Sequence, residues 1–152
     1  MRFLHTLIIM FVVSFTVHYL VMNTLMVDST ADLTNNVGKA YISVIMAFVM
    51  SVGDTVMHDH QYSVFSLRTY AVIFAFLTLF IYIYRKQIGI NDKQYLEGMI
   101  EHHSMALHAS KRILEKTNNY NVAKLAKNIL QEQKDEIIEM RSVLQSMDKT
   151  RS

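Results

Sequence analysis

The side chains with the clearest capacity for chemistry in this 152-residue chain are a histidine pair, His102 and His103, with Met99 a turn before it, and a second set further along, Gln133, Glu136 and Met140. Imidazole nitrogen, thioether sulfur, and carboxylate or amide oxygen are all metal donors. There is no cysteine, which excludes thiolate zinc sites, iron–sulfur clusters, disulfides and Cys nucleophiles. Imidazole and thioether without thiolate suit Cu(I) or Cu(II) better than structural zinc. Methionine, at 11 residues, is ordinarily a flexible core filler, but its sulfur is also a soft ligand for Cu(I).

To act together these groups must share a face. At 100° per residue, Met99, His103 and Ala106 fall within about 60° of one another on a helix, with His102 at the edge of that arc. Gln133, Glu136 and Met140 occupy a similarly narrow arc of a second helix, among Ile129, Ile137 and Leu144. A turn centred near Asn119 would pair the helices antiparallel. That pairing sets His102 and His103 level with Glu136 and Asp135, and Met99 level with Met140. Polar groups on a face that should be buried must find a partner or a metal. Two readings stay open: a metal site, or a histidine pair satisfied within an ordinary core and packed by methionine.

The elements that position these residues are helical. Proline is absent and there are only four glycines, so little interrupts the long apolar and amphipathic runs. Asn91 is a good N-cap with Gln94 three residues on, and Tyr95, Leu96, Met99, Ile100, His103, Ala106 and Leu107 recur at helical spacing. Thr117, Asn118 and Asn119 form a turn. A second helix then starts near Asn121 and repeats Leu125, Ile129, Ile137, Met140 and Leu144. This hairpin, residues 88–152, is too small to bury a large core alone, and its open apolar face is expected to pair with a second copy.

The preceding part, residues 1–87, is oily. Phe3 to Val27 runs about 25 residues without a charged side chain, enough for a retained membrane anchor. A polar loop, Asp28 to Lys39, leads to a second apolar run from Ala40 to Met57, interrupted by Asp54. After the polar residues His58 to Gln61 comes a third span, about residues 66–84, in which Arg68 snorkels and Tyr70, Tyr82 and Tyr84 mark the interfaces. Three spans place the termini on opposite sides of a multi-pass cell-membrane protein, with a bacterial inner membrane the expected location. Met46, Met50 and Met57 share an arc of about 40°, and His18, Met22 and Met26 one of about 80°. Soft-ligand stripes could therefore face one another below His58 and His60, although methionine packing between helices accounts for the same pattern.

The run Tyr95-Leu96-Glu97-Gly98-Met99-Ile100-Glu101-His102-His103-Ser104-Met105-Ala106, followed by Gln133, Glu136, Ile137 and Met140, resembles the domain of unknown function family 305. That family's motif is a Met-Ile-x-His-His-x-x-Ala helix followed by a Gln-x-x-Glu-Ile-x-x-Met helix, and it includes ferritin-like, copper-binding periplasmic proteins of the CopM type. The resemblance spans about residues 91 to 145, and the three apolar spans look like a membrane-anchored branch. It implies Met99, His102, His103 and Met140 as metal ligands, with Gln133 and Glu136 as ligands or their supports. Where the family often has Met five positions after the second His, this chain has His108. Met105 and His108 lie off the Met99 face, which leaves the ligand number short. Many relatives carry the helix pair twice as a four-helix bundle, and this chain carries it once, so two chains would supply the halves.

The function expected is therefore membrane-anchored metal binding, with copper ion as the cofactor, in sequestration, delivery or resistance. The alternative is a structural membrane protein whose hairpin dimerises without metal. Catalysis is not expected: no Glu has a His three residues later, and His-Glu-x-x-His, Gly-rich phosphate loops and nucleophile elbows are absent. A net charge of +2, with Lys and Arg mixed among Asp and Glu, excludes a nucleic-acid partner. Lys39, Arg85, Lys86 and Lys93 on the hairpin's side, against Arg2 and Arg68 on the other, favour a cytoplasmic hairpin. The family's secreted members favour the reverse, and the sequence leaves orientation open.

Overall fold

An uncharged, proline-free run propagates a helix with nothing to stop it. In the computed structural model, which describes residues 2–150, α1 (Arg2–Thr16) continues through a π-helical turn, Val17–Met22, into one last turn, α2 (Asn23–Met26). The next helices are α3 (Val37–Tyr62), α4 (Leu67–Arg85), α5 (Asp92–Leu114) and α6 (Tyr120–Thr150), and no strand occurs among the described residues. Three stretches are long and apolar enough to cross a membrane: Phe3–Met26, Val37–Tyr62 and Leu67–Arg85. The second is longer than the Ala40–Met57 run expected from sequence. Neither Asp54 nor His58–Gln61 breaks it, because none of them is a helix terminator. Asp59 instead ends it usefully, its carboxylate accepting hydrogen bonds from the Ser66 backbone N–H and hydroxyl, each at 2.7 Å, at the start of α4.

The chain divides into two compact units, Met1–Met22 with Val37–Gly89, and Asn23–Asn36 with Ile90–Ser152. In the first, α3 lies between α1 and α4 and packs on both. Its contacting side is small and polar: Ser43, Ala47, Ser51 and Thr55 are all buried. The hydroxyls of Ser43, Ser51 and Thr55 donate to the carbonyls of Lys39, Ala47 and Ser51 one turn back, so they satisfy themselves and let the helices approach closely. Phe48 stacks on Phe76 and meets Phe11 edge-on. The large apolar side chains, among them Leu4, Ile9, Val12, Leu20 and Phe74, are exposed. The methionines of the two stripes neither face one another nor fill the space between the helices: Met22, Met26, Met46, Met50 and Met57 are each 41% exposed or more. They sit on the outward surface because the close α1–α3 contact is taken by small residues.

The second unit joins the hairpin, from Ile90 on, with the segment Asn23–Asn36. Asn91 caps α5 through its side-chain oxygen, which accepts from the Gln94 N–H. Asn119 caps α6 in the same way, accepting from Asn121 and Val122. The antiparallel pair buries Ile100, Leu107 and Ile137, with Leu130, Met140 and Leu144 packed against them. A different face of α5 takes the 23–36 segment. Thr34 donates to the Glu97 carbonyl, and Thr34 and Asn36 donate to Glu101 Oε2 at 3.2 and 3.0 Å. Lys111 pairs with Asp28 at 2.6 Å. Glu101, only 3% exposed, thus meets hydrogen-bond donors, as a buried carboxylate requires.

Candidate metal centre

His103 meets Glu136, one residue from the Asp135 that a turn centred on Asn119 sets level with it: Nδ1 of His103 lies 3.2 Å from Glu136 Oε2. The contact is one of proximity only, because Nδ1 lacks hydrogen-bond geometry to the carboxylate and is buried without a hydrogen-bond partner. Gln133 Nε2 donates to the same Glu136 oxygen at 3.3 Å. Burial holds the His103 imidazole below its ordinary pKa; the Glu136 carboxylate opposes that shift and His102 adds to it. The ring therefore stays neutral at pH 7 and keeps a lone pair available for a metal.

The remaining expected ligands are placed less uniformly. Met140 is half-buried on the Ile100, Leu107 and Ile137 core, and Met99 is half-buried on α5. His102 is exposed, its ring tilted 57° from that of His103 with centroids 6.0 Å apart. Successive residues on a helix diverge by about 100°, so the pair cannot point into one cleft without a second surface facing His102. Among the described residues no three His, Cys, Asp or Glu side chains converge on one point. What one chain assembles is a partial donor set: imidazole, carboxylate and amide, His103 with Glu136 and Glu136 with Gln133 each within 3.3 Å.

Sequence reasoning missed the polar groups that join the 23–36 segment to the two helices. Asp32 is 7% exposed; its Oδ2 accepts from the Ser104 hydroxyl at 2.6 Å and its Oδ1 pairs with Arg141. Ser104 in turn accepts from the Asp28 N–H at 3.0 Å. The signal was present in the run Asp28-Ser29-Thr30-Ala31-Asp32, rich in turn and cap formers, and in the polar Glu97, Glu101, Ser104 and Lys111 face of α5. Neither half announces the other across the intervening spans.

Fold and site together define an all-helical protein in which three membrane-length helices carry a hairpin with a paired imidazole and carboxylate. Residues 92–152 match the family described as Domain of unknown function (DUF305). An uncharacterized protein of Acanthamoeba polyphaga mimivirus is 32% identical over 138 residues, covering 91% of this chain and 90% of that protein. The chain belongs to the DUF305 family. No solved structure matches it significantly.

Proposed function

We propose that this protein is a membrane-anchored metal-binding protein that holds copper for sequestration, delivery or resistance, and binds rather than catalyses. The observation that carries the metal reading is His103: a buried imidazole nitrogen beside a carboxylate, without a hydrogen bond and biased towards the neutral form. A hydrogen-bonded core histidine would have its nitrogens satisfied. Gln133 and Glu136 supply oxygen, Met99 and Met140 sulfur, and His102 a second imidazole, a set suited to copper. Bound copper would supply a soft, exchangeable coordination centre. The chain's own contribution is to keep His103 neutral and oriented.

The membrane reading rests on the inside-out character of the first unit, with small hydroxyl residues buried and large apolar ones outward, which water does not favour and lipid does. The partial donor set favours completion by a second copy. Tyr95 and Leu125, 54% and 61% exposed, leave apolar surface on the hairpin, and His102 is free to meet a facing chain.

The test is calorimetric titration of the full chain in detergent with Cu(I) and Cu(II). Replacing His102 and His103 together by Ala should remove most copper binding and preserve helicity, whereas Met99→Ala should cost less because the thioethers are the weaker ligands. The competing reading, a metal-free structural dimer, is favoured by the lack of a three-group cluster among the described residues. It predicts equal, background copper uptake by wild type and double variant, with only the melting temperature lowered.

A further inference from the structure

We propose that Asp32, in the connection between the first two apolar helices, is a positioning residue that sets the register of α5 against α6 and thereby the relative placement of the candidate ligands; the ligand part of this inference rests on the metal-binding reading above.

The apolar contact between α5 and α6, through Ile100, Leu107 and Ile137, is non-directional and tolerates sliding and rotation. Asp32 supplies direction. Its two carboxylate oxygens hold one residue on each helix: Oδ2 takes the Ser104 hydroxyl at 2.6 Å on α5, and Oδ1 takes the Arg141 guanidinium on α6. Arg141 also donates to the Ala31 carbonyl at 3.1 Å, so the clamp includes the backbone of the turn. Ser104 directly follows His103 and Arg141 directly follows Met140. On a helix, fixing one residue's azimuth fixes its neighbour's at about 100° away, so a carboxylate that fixes Ser104 and Arg141 fixes His103 and Met140 as well. Ser104 is completely buried and accepts from the Asp28 N–H while donating to Asp32, leaving its hydroxyl no second orientation. The turn itself is held in shape, with Ser29 capping Thr30–Asp32 by accepting from the Ala31 N–H.

The connection is tethered at both ends to helices long enough to cross a membrane. The turn that carries Asp32 is therefore continuous in sequence with the first two of those helices. An isolated hairpin would lack this device.

The experiment uses the full chain in detergent with spin labels on cysteines introduced at Ala109 and Leu125, exposed positions on α5 and α6. Pulsed paramagnetic resonance in metal-free buffer reads the distance distribution, and Cu(I) titration reads affinity. Asp32→Asn, which keeps the volume but removes the charge, is expected to shift or broaden the distribution and weaken copper at least about tenfold, the usual loss when a ligand's support is removed. Arg141→Gln, at a half-exposed position that risks less of the fold, should do the same. Lys111→Gln, which cuts only the tie to Asp28, should leave both readouts unchanged. Unaltered distances in Asp32→Asn and Arg141→Gln overturn the proposal, as does equal broadening in Lys111→Gln, or broadening with unchanged copper affinity. Should the wild type bind no copper, the metal reading fails, and the distance comparison alone decides whether Asp32 sets the register.

Discussion

His103 is the residue at which packing and chemistry meet. Its ring nitrogen lies against Glu136 in a setting that disfavours the charged imidazolium. Because its pKa is lowered in the folded state, the unfolded chain takes up a proton more readily as the pH drops below about 6.5. The contribution of His103 to stability is therefore full above that value and lost as the pH falls through the window beneath it. Melting curves between about pH 8 and pH 5 should show a decline that is smaller in His103→Gln, which cannot titrate. Copper uptake should fall in the same window, because a metal ligand must give up its proton. A wild type and variant with the same pH profile would show that His103 is not the responsible group.

At the scale of elements, two glycines separate backbone need from packing. Gly89 leaves α4 with φ +77°, and a Cβ there would meet the Tyr41 hydroxyl at 3.3 Å, the same hydroxyl that donates to the Ile88 carbonyl at 2.9 Å. Gly98 lies inside α5, where an added Cβ would make ordinary contact with Asn36 at 3.6 Å. Gly89→Ala should destabilise by about 1 kcal/mol or more, since alanine resists positive φ. Gly98→Ala should stabilise by about 0.5–1 kcal/mol through helix propensity. Thermal melts in detergent decide both, and a loss at Gly98 would mean that Asn36 cannot give way. The hairpin is likewise an incomplete element. A fragment covering residues 88–152 leaves Arg141 and Ser104 without Asp32 and the apolar face open, so it should self-associate in sedimentation and melt below the same unit in the full chain. A monomeric fragment with undiminished stability would contradict this.

For the whole molecule, three helices are long and apolar enough to cross a membrane, and the 23–36 segment is hydrogen-bonded to α5. In a bilayer the first connection and the hairpin must then share one side. The protein should resist alkaline extraction, since no other solvent suits its apolar exterior. Cysteines placed at Ser29 and Gln145 should react with an impermeant thiol reagent from the same side of sealed vesicles, and one at His60 from the opposite side. Labelling of Ser29 and Gln145 from different sides would refute this arrangement.

The sequence by itself determined the helices, the apolar character of the first three, the cap at Asn91, the turn at Asn119 and, to within a residue, the antiparallel pairing that brings His103 to Glu136. Each of these is a local or periodic property: residues one to four positions apart share a face by helix geometry alone, and a short turn fixes the register of the helices it joins. It could not decide that His102 turns outward, because a pair of adjacent residues looks like one site until a helix surface separates them. Nor could it show that the methionines of the apolar helices lie outward, because lipid and core accept the same side chains. Only the tertiary structure joined Asp32 to Ser104 and Arg141, 72 and 109 residues away. A hydrogen bond between polar groups so far apart has no periodicity to announce it; it exists because α5 and the turn at Asp32 are brought to the same place, where a buried carboxylate must find donors.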